Sequence, residues 1–324
     1  MQPIDRRTFI AATSAAAAGA LAGSEAEASG ASGPVYLSTW KWGVAANARA
    51  AQVFGAGGSL LDAIEKGINV VEDDPNVMTV GYGGLPNAQG EVELDAGIMS
   101  GTSHRAGSVC SLHKIKNPIS VARLVMEKTR HTTMAGEGAL QFAIANGFEP
   151  QQLLTPQSLE AWLKWKSTPD RKTFWIDAEH HDTIGMVACD GKGGVAAGCS
   201  TSGLAWKIPG RVADSPLVGC GYYADDAAGA ASATGDGDVM TNYCTSMFVV
   251  ERMRTGAHPQ EACNELMRFM AKTAPNLKTD MYCAIALNPR GEVGAASMNS
   301  EQPLHYALWR GGSGTLNTAA AFLG

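Results

Sequence analysis

The chain has 324 residues, 45% of them hydrophobic and 17% charged, which is enough apolar material to bury a sizeable core in one large globular domain. Its 38 glycines point to many tight turns and close backbone approaches. A net charge of −6, with no Lys/Arg cluster interleaved with aromatics, excludes the footprint of a nucleic-acid binder and leaves small molecules as the expected partners.

Residues 1–28 read as an address. Arg6-Arg7-Thr8-Phe9-Ile10 is a twin-arginine pattern, an Ala-rich apolar run follows to Ala22, and Ala26-Glu27-Ala28 offers a small-residue cleavage site. The run is too short to span a bilayer and no stop-transfer segment follows. The expectation is export to the periplasm or beyond, with a mature chain starting near Ser29 and no membrane anchor. Losing this segment removes two arginines, one aspartate and two glutamates, so the acidic balance survives.

Beyond it, residues 35–40 have the β-branched and aromatic content of a strand, and 45–54 and 60–71 carry apolar residues at helical spacing, the second run ending at Asp73-Asp74-Pro75. The Gly-rich Gly81-Tyr82-Gly83-Gly84 leads to short strands near 92–94 and 106–111. Helical patterns return at 119–128, 138–146 and 156–166, the last with Trp162 and Trp165 on one face. Residues 167–182 form a polar connector, long for a link inside a compact domain and therefore a candidate functional loop. The pattern then turns to β: 183–189 and 194–200 read as a hairpin, with strands near 218–224 and 228–233. Helices at 239–254 and 259–272 and strands near 282–287 and 293–298 close the reading. Helices and strands in blocks, without strict alternation, predict an α+β arrangement of helical layers covering antiparallel sheets. No internal repeat is visible.

Several chemistries drop out. The seven cysteines (Cys110, Cys189, Cys199, Cys220, Cys244, Cys263, Cys283) contain no C-x-x-C pair, so neither a zinc ribbon nor a thioredoxin motif is supported, and the expected role is that of small buried hydrophobes. Gly101-Thr102-Ser103-His104-Arg105 is not a nucleophile elbow, and Met186 and Gly193 spoil the P-loop spacing around Gly191-Lys192. Adjacent His180 and His181 project in different directions and make a poor metal pair, so neither a metal nor any other cofactor is expected.

What remains is His181-Asp182-Thr183-Ile184-Gly185, a threonine where a long loop becomes a strand. A threonine hydroxyl needs a base within hydrogen-bond reach, and a free α-amine on the same residue supplies one, with an unperturbed pKa of about 7.7 to 8.0 that suits neutral pH. Freeing that amine requires cleavage after Asp182. On its own, Thr183 reads more readily as an ordinary strand residue.

The context decides. Downstream come Cys199-Ser200-Thr201-Ser202-Gly203, Gly210-Arg211-Val212-Ala213-Asp214-Ser215-Pro216, Gly219-Cys220-Gly221 and Ala233-Thr234-Gly235-Asp236-Gly237-Asp238. Upstream stand Ser38-Thr39-Trp40, Gly81-Tyr82-Gly83-Gly84 and Lys116-Asn117-Pro118-Ile119-Ser120-Val121-Ala122-Arg123. This ordered set resembles the glycosylasparaginases, also called aspartylglucosaminidases, among the N-terminal-nucleophile hydrolases that include plant-type asparaginases and isoaspartyl peptidases. The resemblance covers nearly everything after the first 28 residues.

It implies a four-layer αββα sandwich, cut by the protein itself into an α-subunit (29–182) and a β-subunit (183–324), and a homodimer of such αβ units. Thr183 would be nucleophile twice, first on the Asp182 carbonyl and then on the side-chain amide of N4-(β-N-acetylglucosaminyl)-L-asparagine. Thr234 and Gly235 would be oxyanion donors, each typically worth about 2.7 to 4 kcal/mol. Thr201 would sit beside the nucleophile, Arg211 would bind the substrate α-carboxylate, Asp214 the α-ammonium, and Trp40 would line the sugar side.

Three departures stand out: Ala213 where glycine is usual, Thr79 for serine, and Asp238 for glutamate. The rival readings are a plant-type asparaginase or isoaspartyl peptidase using the same machinery, and a self-cleaved, catalytically silent periplasmic protein that binds amino acids.

Overall fold

A computed structural model describes residues 33–168 and 183–323. The expected signal segment, the expected connector from residue 169 on, and Asp182 lie outside the described residues.

The strands are β1 (Val35–Thr39), β2 (Leu94–Ser100), β3 (Arg105–Leu112), β4 (Thr133–Ala135), β5 (Ile184–Cys189), β6 (Val195–Thr201), β7 (Tyr222–Asp225), β8 (Gly229–Gly235), β9 (Tyr282–Leu287), β10 (Val293–Asn299), β11 (His305–Arg310), β12 (Ser313–Thr318) and β13 (Ala320–Leu323). The helices are α1 (Gly43–Gly55), α2 (Leu60–Glu72), α3 (Pro118–Lys128), α4 (Gly136–Ala145), α5 (Pro156–Ser167), α6 (Gly237–Thr241), α7 (Thr245–Arg254) and α8 (Pro259–Met270).

Eight strands form one sheet in the order β12-β11-β1-β5-β6-β2-β3-β4, and five form a second in the order β13-β10-β9-β8-β7. Pairing is antiparallel except for β3 with β4 and β10 with β13. The central strands are buried on both faces, so their sequences read as unbroken apolar runs. Alternate residues nevertheless serve different layers. On β5, Ile184, Met186 and Ala188 join the core under α1 to α4, whereas Val187 and Cys189 face the second sheet. On β9, Cys283, Ile285 and Leu287 point to the first sheet and Tyr282, Ala284 and Ala286 to α7 and α8. Three apolar layers between four structural ones make the expected αββα sandwich. Glycine lets the sheets close: a Cβ on Gly97 would meet the Tyr222 ring at 2.0 Å, and one on Gly185 would meet Ser232 Oγ at 2.4 Å.

The helix starts follow local chemistry. Ser59 and Asp62 form a reciprocal cap on α2, Thr155 and Ser158 do the same on α5, and Pro118, Pro156 and Pro259 occupy first-turn positions.

Three expectations need correction. The single helix read across 239–254 is two, because Cys244 adopts φ 46°, a left-handed conformation that no helix continues through. The short strand read near 92–94 instead runs from Leu94 to Ser100, through residues buried on both faces up to Met99, which leaves no alternation to read. The chain also does not stop pairing after β10: β11, β12 and β13 follow, and β12 is almost wholly exposed, which leaves its sequence without an apolar period.

Candidate active site

Thr183 stands one residue before β5 and is 8% exposed. Its environment is built by three strands and one loop. Thr39, the last residue of β1, donates from Oγ1 to the Thr183 carbonyl at 2.7 Å and accepts the Gly185 N–H at 2.9 Å, so one hydroxyl clamps the entry to β5. The β5–β6 register pairs Ile184 with Ser200, which sets Thr201 across from Thr183 at the next position. The Thr183 hydroxyl lies 3.0 Å from Ser215 Oγ. Ser215 follows Asp214 in the segment between β6 and β7, held by a Cys199 thiol donating to the Ser215 carbonyl at 2.7 Å.

Thr201 Oγ1 accepts the Gly203 N–H at 3.0 Å and reaches toward the Thr79 carbonyl at 3.4 Å. From the second sheet, β8 brings Ser232 against Gly185 and ends at Thr234 and Gly235. Thr234 is 1% exposed and its hydroxyl has no partner among the described residues. Gly235 has φ 137°, and a Cβ there would meet the Met281 carbonyl oxygen at 2.1 Å.

Asp214 is buried, with Oδ2 unpartnered among the described residues. Its pKa is raised to about 7 by desolvation, which outweighs the opposing pull of Arg211. Arg211 does not pair with Asp214. Its Nη2 and Nε reach Asp238 Oδ2 at 2.7 and 3.1 Å, while Nη1 lies on the side of Gly203. Ala213, where glycine was expected, is absent from the positive-φ residues, so its methyl strains nothing in the backbone and packs toward Gly237. Trp40 follows Thr39 at φ 63°, rare for a bulky residue, with its indole N–H buried and unpartnered among the described residues.

Five buried polar atoms without partners among the described residues belong to this group: Trp40 Nε1, Thr79 Oγ1, Ser202 Oγ, Asp214 Oδ2 and Thr234 Oγ1. Each costs roughly 1–3 kcal/mol if left so. A site that leaves hydroxyl and indole donors and a carboxylate oxygen unsatisfied is suited to a polar ligand.

The family model for asparaginase matches residues 24–314. The chain belongs to the asparaginase family. Among its relatives, the N(4)-(beta-N-acetylglucosaminyl)-L-asparaginase of Elizabethkingia miricola is 46% identical over 266 residues, covering 81% of this chain and 78% of its own. The Rattus norvegicus protein of that name is 40% identical over 292 residues, covering 81% and 84%.

In this asparaginase-family chain, sequence reasoning missed the supports of the site. Lys207 is 1% exposed, with Nζ 3.5 Å from Asp95 Oδ2 and within hydrogen-bond reach of the Glu93 carbonyl at 3.2 Å; Glu93 Oε1 accepts the Gly210 N–H beside Arg211. Glu72, wholly buried and raised to about 7 by desolvation, accepts from Ser200 Oγ at 2.7 Å and from the Ile119 N–H at 3.0 Å. Both lie in stretches that resemble the family, Val71-Glu72-Asp73-Asp74-Pro75 and the run from Ser200 to Lys207, but their spacing does not announce a supporting role. Among the described residues no helix is long and apolar enough to cross a membrane.

Proposed function

We propose that this protein is a self-processing amidohydrolase that cleaves the bond between N-acetylglucosamine and the side-chain amide of asparagine, with Thr183 as nucleophile. The observation that carries the reading is the grouping of Thr183, its Ser215 partner, which also reaches Asp214 Oδ1 at 3.5 Å, and the unpartnered Thr234 hydroxyl and Asp214 Oδ2. Relatives at 40–46% identity named for this substrate support it.

In the precursor, Thr183 Oγ attacks the Asp182 carbonyl and the peptide bond shifts to an ester. Water hydrolyses the ester, leaving the Asp182 carboxylate and a free Thr183 α-amine. In the mature enzyme that amine takes the hydroxyl proton as Oγ attacks the substrate's side-chain amide carbon. The Thr234 hydroxyl and the Gly235 N–H donate to the oxygen as charge develops on it. The proton passes to the departing glycosylamine, and water resolves the β-aspartyl ester to release aspartate and regenerate the hydroxyl.

Asp214 Oδ2 accepts from the substrate α-ammonium, and the free Nη1 edge of Arg211 binds its carboxylate. Thr201 supports the pocket opposite the nucleophile, and Trp40 lines its sugar side. The reading includes export through the Arg6-Arg7 segment and assembly of the cut chain as a homodimer of αβ units.

A denaturing gel with N-terminal sequencing tests the first half: the smaller fragment should begin at Thr183, and Thr183→Ala should remain uncut and without activity. A processed or active Thr183→Ala protein removes the nucleophile assignment. Turnover of N4-(β-N-acetylglucosaminyl)-L-asparagine tests the second half. Hydrolysis of asparagine and β-aspartyl dipeptides alone would move the substrate to the sugar-free class, and binding without any turnover would leave a silent receptor.

A further inference from the structure

Six of the seven cysteines are buried; Cys244 is exposed and is also the residue whose left-handed backbone separates α6 from α7. Cysteine has no special tolerance for φ > 0, so packing alone gives no reason for it there. Beside it lies a second thiol. Cys220 Sγ is 3.7 Å from the Thr241 carbonyl oxygen and Cys244 Sγ is 3.9 Å from the same atom.

The backbones are joined as closely. Thr245 Oγ1, Ser246 Oγ and the Ser246 N–H donate to the Cys220 carbonyl at 2.9, 2.7 and 3.2 Å, and the Met247 N–H donates to the Gly219 carbonyl at 2.8 Å. Desolvation pushes the Cys220 thiol up to about 12, and the charge of Cys244 and a hydrogen bond with it are the next causes, which places the two sulfurs in each other's immediate surroundings.

We propose that Cys220 and Cys244 are a disulfide-forming pair, a modification site for thiol–disulfide exchange with a small-molecule disulfide. Exposure makes Cys244 the attacking thiol and burial makes Cys220 the resolving one. The Cys244 thiolate attacks one sulfur of the small disulfide, whose S–S bond breaks and releases one thiolate. The Cys220 thiolate then attacks Cys244 Sγ in the mixed disulfide and expels the second. The two protons lost by the protein end on the released thiols; the protein is oxidised by two electrons and the small disulfide is reduced by two.

The bond would connect both arms of the proposed substrate-recognition cluster. The Gly221 N–H, next to Cys220, donates to the Asp214 carbonyl at 2.9 Å, and α6, which leads to Cys244, carries the Asp238 that holds Arg211. This functional consequence rests on the reading given above, whereas the pairing itself does not.

The test treats the reduced full-length protein with oxidised glutathione, quenches with acid, unfolds it in the presence of N-ethylmaleimide and maps non-reduced peptides. A peptide linking Cys220 to Cys244 is expected, with the other five cysteines alkylated. The oxidised protein should melt roughly 5 °C above the reduced one, a gain absent from Cys220→Ser and Cys244→Ser. A glutathione adduct persisting on Cys244 beside an alkylated Cys220, or a link between any other two cysteines, overturns the pairing. A linked peptide without a rise in melting temperature overturns the connection between the two arms. Absence of glycosylasparagine hydrolysis in both redox states counts against the proposed activity and leaves the peptide map to decide the pair.

Discussion

Burial raises the Asp214 carboxyl to about 7, yet an ammonium group is bound by its ionised form. In the free enzyme, acid protonates Asp214 and removes the anion, so kcat/KM should climb with pH through about 7. On the proposed mechanism a second rise would belong to the Thr183 α-amine, which would act as a base only when neutral and titrates near about 7.7 to 8.0 when unperturbed. The Asp214→Asn enzyme should have a higher KM and should keep the α-amine rise alone. A variant that retains both ionisations would falsify the role of Asp214. The sign for stability is opposite. A carboxyl raised in the folded state contributes stability below its unfolded value of 3.8, and that contribution is lost as pH rises through about 7, so the ionised, binding-competent form is the less stable one. At this scale the ordered set of motifs singled out Thr183, Thr201, Arg211, Asp214, Thr234 and Gly235 as residues to look for, and their roles rest on the proposed function. The Arg211 pairing with Asp238, the Ser215 hydroxyl beside the nucleophile and the buried Lys207 were not legible, because each depends on loop contacts that no local period encodes.

Among the elements, β8 makes the most exacting demand. Its last residue, Gly235, combines φ 137° with a backbone carbonyl 2.1 Å from where a Cβ would sit, and a carbonyl of β9's neighbour Met281 cannot rotate away as a side chain could. Gly235→Ala should therefore cost at least about 1–3 kcal/mol of stability from backbone strain alone and should displace the Thr234 hydroxyl with it. Urea unfolding and a kcat measurement read the two effects separately; an alanine variant with wild-type midpoint and rate would show that this approach is not required. Helices were the easier elements to read, because α2 and α8 carry one apolar face and capping residues at their starts. Strands β5, β6 and β9, buried on both faces, were found as apolar runs between turns. The break at Cys244 and the exposed closing strands escaped, since a left-handed cysteine has no sequence signature and β12 buries almost nothing.

For the whole molecule, the order of the larger sheet governs what the proposed cleavage after Asp182 would do. Strand β1, from the first segment, lies between β11 and β5 of the second, and β2 of the first pairs with β6 of the second. The segments are also crossed by Thr39 to Thr183, Glu72 to Ser200 and Lys207 to Asp95. Separating them would strip β1 of both neighbours and expose Val35, Tyr36 and Leu37, all 0% exposed, along with the ladder groups of three strand pairs. If the proposed cleavage occurs, the fragments 29–182 and 183–324 should therefore remain one body, co-eluting on gel filtration at neutral pH and unfolding together in a single transition. Among the seven cysteines only Cys110 belongs to the first segment, and it is buried in its own thiol form, so no covalent bridge is expected between the fragments. A denaturing gel without reductant should accordingly resolve two bands from the species that ran as one on the native column. Fragments that part on the native column would mean that the sheet order does not hold the cut protein together, and fragments that stay joined on the non-reducing gel would mean that a disulfide does.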